Sequence, residues 1–293
     1  MSSHNLTTGK LIDANLIATH AYQVLPAQKP HCVFARSAVV SQWSWEGEGS
    51  VAKPLIIAHR GASQQAPENT LPAIEKALEA GVDMLALEVQ KTKDDQPVVL
   101  ADVSLDRTTN GTGRVARMTA DEVRSLDAGS WFNPAYAGVK VPTLAEGVAA
   151  VADKARLMLS LPETRSGTPW AQRLAETLQA RQRPAEDVLV FNDSESLKSF
   201  RELAPAFTYA LALGEKVDGW LYLEKAGRMG LKAVRPHRAQ IDSVLVRQAH
   251  AKNIQVFAYF ANEETDLREL LDLRVDGIVT GRPERMRKLL QEA

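Results

Sequence analysis

Residues 88–102, EVQKTKDDQPVVLAD, hold two short apolar runs joined by a charged turn. They belong to a longer series. From Pro54 onward the strand candidates are LIIA (55–58), MLALEV (84–89), PVVLA (97–101), LMLSL (157–161), DVLVF (187–191), TYALAL (208–213), LKAVR (231–235), IQVFAYF (254–260) and DGIVT (276–280). Between most of them lie segments with a 3.6-residue apolar period. TLPAIEKALEAG ends on Gly81, a natural C-cap, and TLAEGVAAVADKA opens with Thr143 and Glu146 at the capping-box spacing. ESLKSFREL and SVLVRQAHAKN follow the same period. Repeated strand–helix units give a parallel sheet, and about eight of them close into a (β/α)8 barrel. The candidates exceed that number by one, and the quoted stretch accounts for the surplus. A parallel neighbour needs a crossover of about a dozen residues. TKDDQ is far shorter, so PVVLA folds back antiparallel on ALEVQ. With the turn near Asp95, Gln90 is expected opposite Ala101. The fold class read from the sequence is therefore α/β, a (β/α)8 TIM barrel over residues 54–293 with a β-hairpin after its second strand.

Residues 1–53 differ in character and are read as an N-terminal extension. An amphipathic stretch, Leu11 to Val24, precedes QWSWEGEGSVAK, in which Trp43 and Trp45 share one face if the chain is extended. The segment is either packing on the outside of the barrel or an arm for a protein partner. The formal net charge of −1 leaves no electrostatic footprint for nucleic acid. Cys32 is the only cysteine, which excludes an intramolecular disulfide and a thiolate metal cluster. Asp13 and Asn15 interrupt LIDANLIA, so no signal-peptide core forms, and no apolar run approaches the ~20 residues of a membrane span. A cytoplasmic protein without a membrane span is expected.

The segment AHRGASQQAPENTLPAIEKALEAGVD resembles the glycerophosphodiester phosphodiesterase family, of the phospholipase C-like barrel type. The match continues through the hairpin, LDRTTNGTG and VPTLAEGV, fades after about residue 165, and returns weakly in VFAYFAN and VDGIVTGRP. The resemblance implies a metal-assisted hydrolase that splits a glycerophosphodiester-like small molecule into an alcohol and a phosphomonoester. Such a site is expected to hold a His-Arg pair, a Glu-x-Asp metal pair, a His-Asp pair on the hairpin and a later Glu-x-Lys. A divalent metal needs hard oxygen ligands and offsets phosphate charge. One imidazole takes a proton from the attacking hydroxyl while the other protonates the leaving alcohol. An arginine fork clamps phosphate oxygens.

Carried over by position, His59 and Arg60 match the first pair, Glu68 and Asn69 the Glu-Asn that follows, and Glu88 the first metal carboxylate. The pattern then breaks. Gln90 stands at the second metal carboxylate and Ala101 at the second histidine. In LSLPETRSG either Pro162 and Thr164 take the Glu-x-Lys positions, or Glu163 and Arg165 do through a bulge at Pro162. Glu68 and Asn69 have a second reading as caps of the helix beginning near Thr70. His237, after LKAVRP, either replaces the missing acid or is an ordinary loop histidine. The expected set is His59, Arg60 and His237 for catalysis, and Arg60, Glu68, Asn69 and Arg165 for substrate. Glu88 and Glu163 would hold Mg²⁺ or Ca²⁺ weakly if the protein is active, and no metal otherwise. Two functions stand side by side: a phosphodiesterase with an impaired or altered metal site, and a non-catalytic barrel that binds a phosphodiester, a sugar phosphate or a protein.

Overall fold

Each strand candidate forms a strand in the computed structural model, which describes residues 53–179, 181–212 and 218–292. They are β1 (Leu55–His59), β2 (Met84–Lys91), β3 (Pro97–Val99), β4 (Arg156–Leu161), β5 (Val188–Phe191), β6 (Thr208–Ala212), β7 (Ala233–Arg235), β8 (Gln255–Tyr259) and β9 (Gly277–Thr280). All but β3 pair in parallel, and β1 bonds to both β2 and β9, so the sheet closes into a barrel. Residues 1–52, with Trp43, Trp45 and the partner arm assigned to them, lie outside the described residues. No described helix is long and apolar enough to cross a membrane.

The hairpin forms as expected, with a different register. The turn is tight: Thr92 N donates to Gln96 O at 3.1 Å, and Asp95 adopts a φ of 56°. That places Val98, not Ala101, opposite Gln90. The two unusual positions still meet, because Gln90 Nε2 donates to the Ala101 carbonyl at 2.9 Å.

Alternation along the strands divides the core into two. Ile57, Met84, Ala86, Met158, Val190, Ala233, Phe257 and Val279 form one cluster, the barrel interior. The neighbouring positions Ile56, Leu85, Leu87, Leu157, Leu159 and Val256 pack outward against the helices. Among these, α1 (Leu71–Glu79) ends before Gly81, whose φ is 68°, and α3 (Leu144–Val151) carries the expected capping box. Thr143 N donates to Glu146 Oε2 at 2.8 Å while Glu146 N donates to Thr143 Oγ1 at 3.1 Å. Trp170 is buried on α4 (Pro169–Leu178). Trp131 is half-exposed and donates from Nε1 to Ala128 O, while Trp220 on α6 (Gly219–Arg228) is exposed.

At the N-terminal ends of the strands, three aspartates stitch neighbours together. Asp83, Asp187 and Asp276 accept from the backbone N–H of Ile56, Leu157 and Val256 at 2.8, 2.7 and 2.7 Å. Each also meets a cationic or protonatable partner: Arg287, Arg181 and His250 respectively. His250 lies on α7 (Ser243–Ala251), in the outer layer of helices. This rim serves stability, and the opposite rim is left for chemistry.

Candidate active site

Continuing the interior alternation one step toward the strand ends brings His59, Glu88, Arg235 and Tyr259 to the barrel mouth. His59 ends β1, and the chain then turns sharply through Arg60 and Gly61, at φ values of 57° and 78°. Arg60 N donates to Ala86 O at 2.7 Å, which holds this left-handed turn against β2. Gly61 is required for space as well as conformation, because a Cβ there would lie 2.6 Å from the carbonyl carbon and oxygen of Ala73.

Two arginines and three carboxylates form a chain across the mouth. Asp102 accepts from Arg107 Nε at 2.6 Å, and Arg107 forks onto Glu68 at 2.6 and 3.0 Å. Glu68 Oε1 also accepts from Arg60 Nη1 at 2.7 Å, and Arg60 Nη2 lies 3.1 Å from Glu88 Oε2. Burial acts to lower the Arg60 pKa, but Glu88 and Glu68 outweigh it and the net shift is upward. The hydrogen bond from Arg107 holds the Asp102 carboxyl below its ordinary value. Asn69 Oδ1 accepts from Glu88 N at 3.2 Å. Glu68 and Asn69 therefore bind the mouth rather than cap α1, whose N-cap Thr70 makes no side-chain capping bond.

His59 lies beside this chain, its Nε2 3.9 Å from Glu88 Oε1. A carboxylate at that distance favours imidazolium. Burial, reinforced by Arg60 and Arg235, prevails and lowers the His59 pKa to about 3. The ring is walled by aromatics: Tyr259 edge-on with centroids 5.1 Å apart, and Phe260 stacked at 5.9 Å. The Tyr259 hydroxyl lies 3.3 Å from His59 Nε2, and burial raises the Tyr259 pKa, so the phenol stays protonated at neutral pH. The Arg235 guanidinium sits 4.7 Å above the Tyr259 ring centroid.

Other expected residues are not gathered here. Glu163 and Arg165 are 69% and 80% exposed and pair with each other at 2.8 Å. The reason is local. β4 ends at Leu161 and no bulge carries it on; Thr164 instead is fully buried, its N donating to Ser196 Oγ and its Oγ1 accepting from Trp170. His237 shares only the Tyr259 ring with His59, at 6.4 Å between centroids, and its Nδ1 accepts from Ala239 N at 3.3 Å. Arg235 and Arg107 were not singled out as site residues from the sequence. Alternation from Ala233 places Arg235 inside the barrel, whereas the reach of Arg107 to Glu68 has no local signal.

The metal set expected from the resemblance does not assemble. Glu88 contributes one carboxylate and Gln90 only a neutral amide, while Glu163 stands in solvent. Glu68 and Asp102 are already engaged by guanidinium groups. Among the described residues, no group of three His, Cys, Asp or Glu side chains is disposed to hold a cation. Mg²⁺ and Ca²⁺ complete their oxygen shells with water and phosphate but need one or two carboxylates to hold them, and Glu88, the remaining one, is itself paired with Arg60 at 3.1 Å, so these donors do not fit them.

Comparison with known proteins agrees with this architecture. Residues 59–285 match the model of the glycerophosphoryl diester phosphodiesterase family. A glycerophosphodiester phosphodiesterase of Caldanaerobacter subterraneus is 33% identical over 245 residues, covering 82% of this chain and 99% of that protein. One from Bacillus subtilis is 31% identical over 277 residues, covering 86% and 93%. Among solved structures, an Oleispira antarctica phosphodiesterase in complex with the product sn-glycerol-3-phosphate superposes with a TM-score of 0.74 at 26% identity, covering 81% of this chain and 97% of that one. This chain belongs to the glycerophosphoryl diester phosphodiesterase family.

Proposed function

We propose that this chain hydrolyses a glycerophosphodiester-type small molecule to an alcohol and a phosphomonoester, at a mouth whose chemistry is altered and slowed. The observation that carries this reading is the little-exposed imidazole of His59 at the barrel mouth, its Nε2 3.9 Å from Glu88 Oε1 and its pKa lowered so that it stands ready to accept a proton. A neutral imidazole accepts a proton from the attacking water as the water oxygen bonds to phosphorus. The bond from phosphorus to the leaving oxygen then breaks. With Ala101 in place of the second histidine, the departing alkoxide takes its proton from water. Losing one positioned acid slows turnover by ~10²–10⁴. The donors at the mouth offer no seat for the expected Mg²⁺ or Ca²⁺, so charge on the phosphate falls to the guanidinium groups. A cytoplasmic setting belongs to this reading, and the single cysteine is compatible with a reducing compartment. Residues 1–53 are read as an extension, with binding of a protein partner as its alternative role.

A second reading, a barrel that binds a phosphodiester or sugar phosphate without cleaving it, is favoured by one observation. Arg60 is tied to both Glu68 and Glu88, which occupies donors that would otherwise meet phosphate. The test is hydrolysis of glycerophosphocholine and bis(p-nitrophenyl) phosphate by wild type and His59→Ala, with calorimetric binding of sn-glycerol 3-phosphate alongside. Slow turnover that His59→Ala abolishes is expected. Binding without turnover would transfer the conclusion to the second reading, and neither binding nor turnover would overturn both.

A further inference from the structure

Arg235 differs from the other arginines of the mouth. Arg60 and Arg107 each have a carboxylate oxygen within 3.1 Å. Arg235 makes no ion pair with any described residue, and its Nε is buried without a hydrogen-bond acceptor. Burial draws its pKa down, which shows how poorly its charge is solvated, although a guanidinium stays charged at any working pH. Glu88 and Tyr259 favour its charge from a distance without a direct ion pair, and a poorly solvated cation with no acceptor on its Nε is costly to keep.

Its placement indicates what that is. Ala233 lies in the interior cluster, so Arg235, two residues on, faces inward at the end of β7. The Tyr259 ring lies 4.7 Å beneath its guanidinium, and the hydroxyl of the same tyrosine lies 3.3 Å from His59 Nε2. An oxygen held by Arg235 is thus one side chain away from the imidazole. Arg60 has its Nη groups committed to Glu68 and Glu88, and Arg165 stands in solvent.

We propose that Arg235 is an anion-binding residue of the mouth, whose guanidinium takes a non-bridging oxygen of the ligand's phosphate group in a subsite beside His59. This rests on the phosphodiester reading above and deepens it. β7 supplies the free cation that the loop after β4 does not. Tyr259 acts as a platform: by stacking under the guanidinium it limits rotation, so the fork is ordered before the ligand arrives.

The test is calorimetric titration of the full chain with inorganic phosphate and with sn-glycerol 3-phosphate, for wild type, Arg235→Gln and Arg235→Lys, with a thermal melt of each ligand-free protein. Arg235→Gln should weaken binding of sn-glycerol 3-phosphate by about 10- to 100-fold. Arg235→Lys, which keeps the charge and loses the fork, should fall between the two. The ligand-free Arg235→Gln protein should melt at or above the wild-type temperature, because a poorly solvated charge with no direct ion pair has been removed. Wild-type affinity in both variants would overturn the proposal. So would equal losses in both variants together with a lowered melting temperature, which is the signature of a structural arginine. If the wild type binds neither ligand, phosphate recognition at this mouth fails altogether and the subsite with it. The two ligands also separate a seat for any phosphate from one that reads the attached glycerol.

Discussion

Lowering the pH from about 7 to about 5 should destabilise this protein through His59, by an amount that the site's geometry sets. The folded-state pKa is about 3 against an ordinary value of 6.5, for reasons led by burial. The group is depressed on folding, so below its ordinary pKa the unfolded chain binds a proton that the native state refuses. Stability is therefore intact at neutral pH, is lost as pH falls past 6.5, and continues to fall toward 3. Between about pH 7 and pH 5 the linkage relation gives a loss of about 2 kcal/mol from this histidine alone. Many other groups titrate in that range, so the comparison is between wild type and His59→Gln, which cannot take up the proton. Urea unfolding of both proteins at the two pH values isolates the contribution. The wild type should lose about 2 kcal/mol more than the variant, or roughly 1 M in midpoint at a slope of about 2 kcal/mol/M. Parallel losses in the two proteins would mean that His59 titrates as a solvated imidazole, and the neutral base at the mouth would be wrong. The same shift predicts that the acid limb of kcat/KM lies below about pH 5 rather than near the ordinary imidazole value.

Structural residues at both rims support predictions of another kind. Arg181→Ala should cost about 3–5 kcal/mol in urea unfolding, because it strands Asp187; the pair is 4% and 2% exposed, and Asp187 also holds Leu157 N. Gly61→Ala should cost about 2 kcal/mol or more, read as a lowered melting temperature, since it combines a φ of 78° with contact at 2.6 Å against the Ala73 carbonyl. His250 works against His59 in pH: its bond to Asp276 raises its folded pKa, so its stabilisation is complete below the ordinary value and disappears as pH rises through the raised one. The stability gap between wild type and His250→Ala should accordingly be wider at about pH 6 than at about pH 9.

What could be read from the sequence follows the range of the interactions involved. Strands such as IQVFAYF and helices such as TLAEGVAAVADKA are governed by neighbours a few residues away, and they fold as their patterns imply. The brevity of TKDDQ sufficed to turn a ninth strand into a hairpin. Its register depended on a tight turn at Asp95 with positive φ, and the turn proved shorter than the spacing to Ala101 implied. Glu163 and Arg165 were misplaced for a similar reason: burial of Thr164 against Trp170 and Ser196 decides which residues of PETR face outward, and those partners come from other elements. The Glu68–Arg107 contact joins residues 39 positions apart and has no local trace. Arg235 is readable by alternation from Ala233, whereas His237 lies past the end of β7, where alternation no longer fixes which way a side chain turns.

The most direct test of the account is the rate at which the full chain hydrolyses glycerophosphocholine in EDTA and in added Mg²⁺ or Ca²⁺, beside the Gln90→Asp/Ala101→His variant. The account predicts a slow wild-type rate that neither EDTA nor added metal changes, and a faster, metal-dependent rate in the variant. Brisk wild-type turnover abolished by EDTA would contradict it, because a working metal site would then exist where Gln90 replaces a carboxylate, Arg60 engages Glu88 and Glu163 stands in solvent.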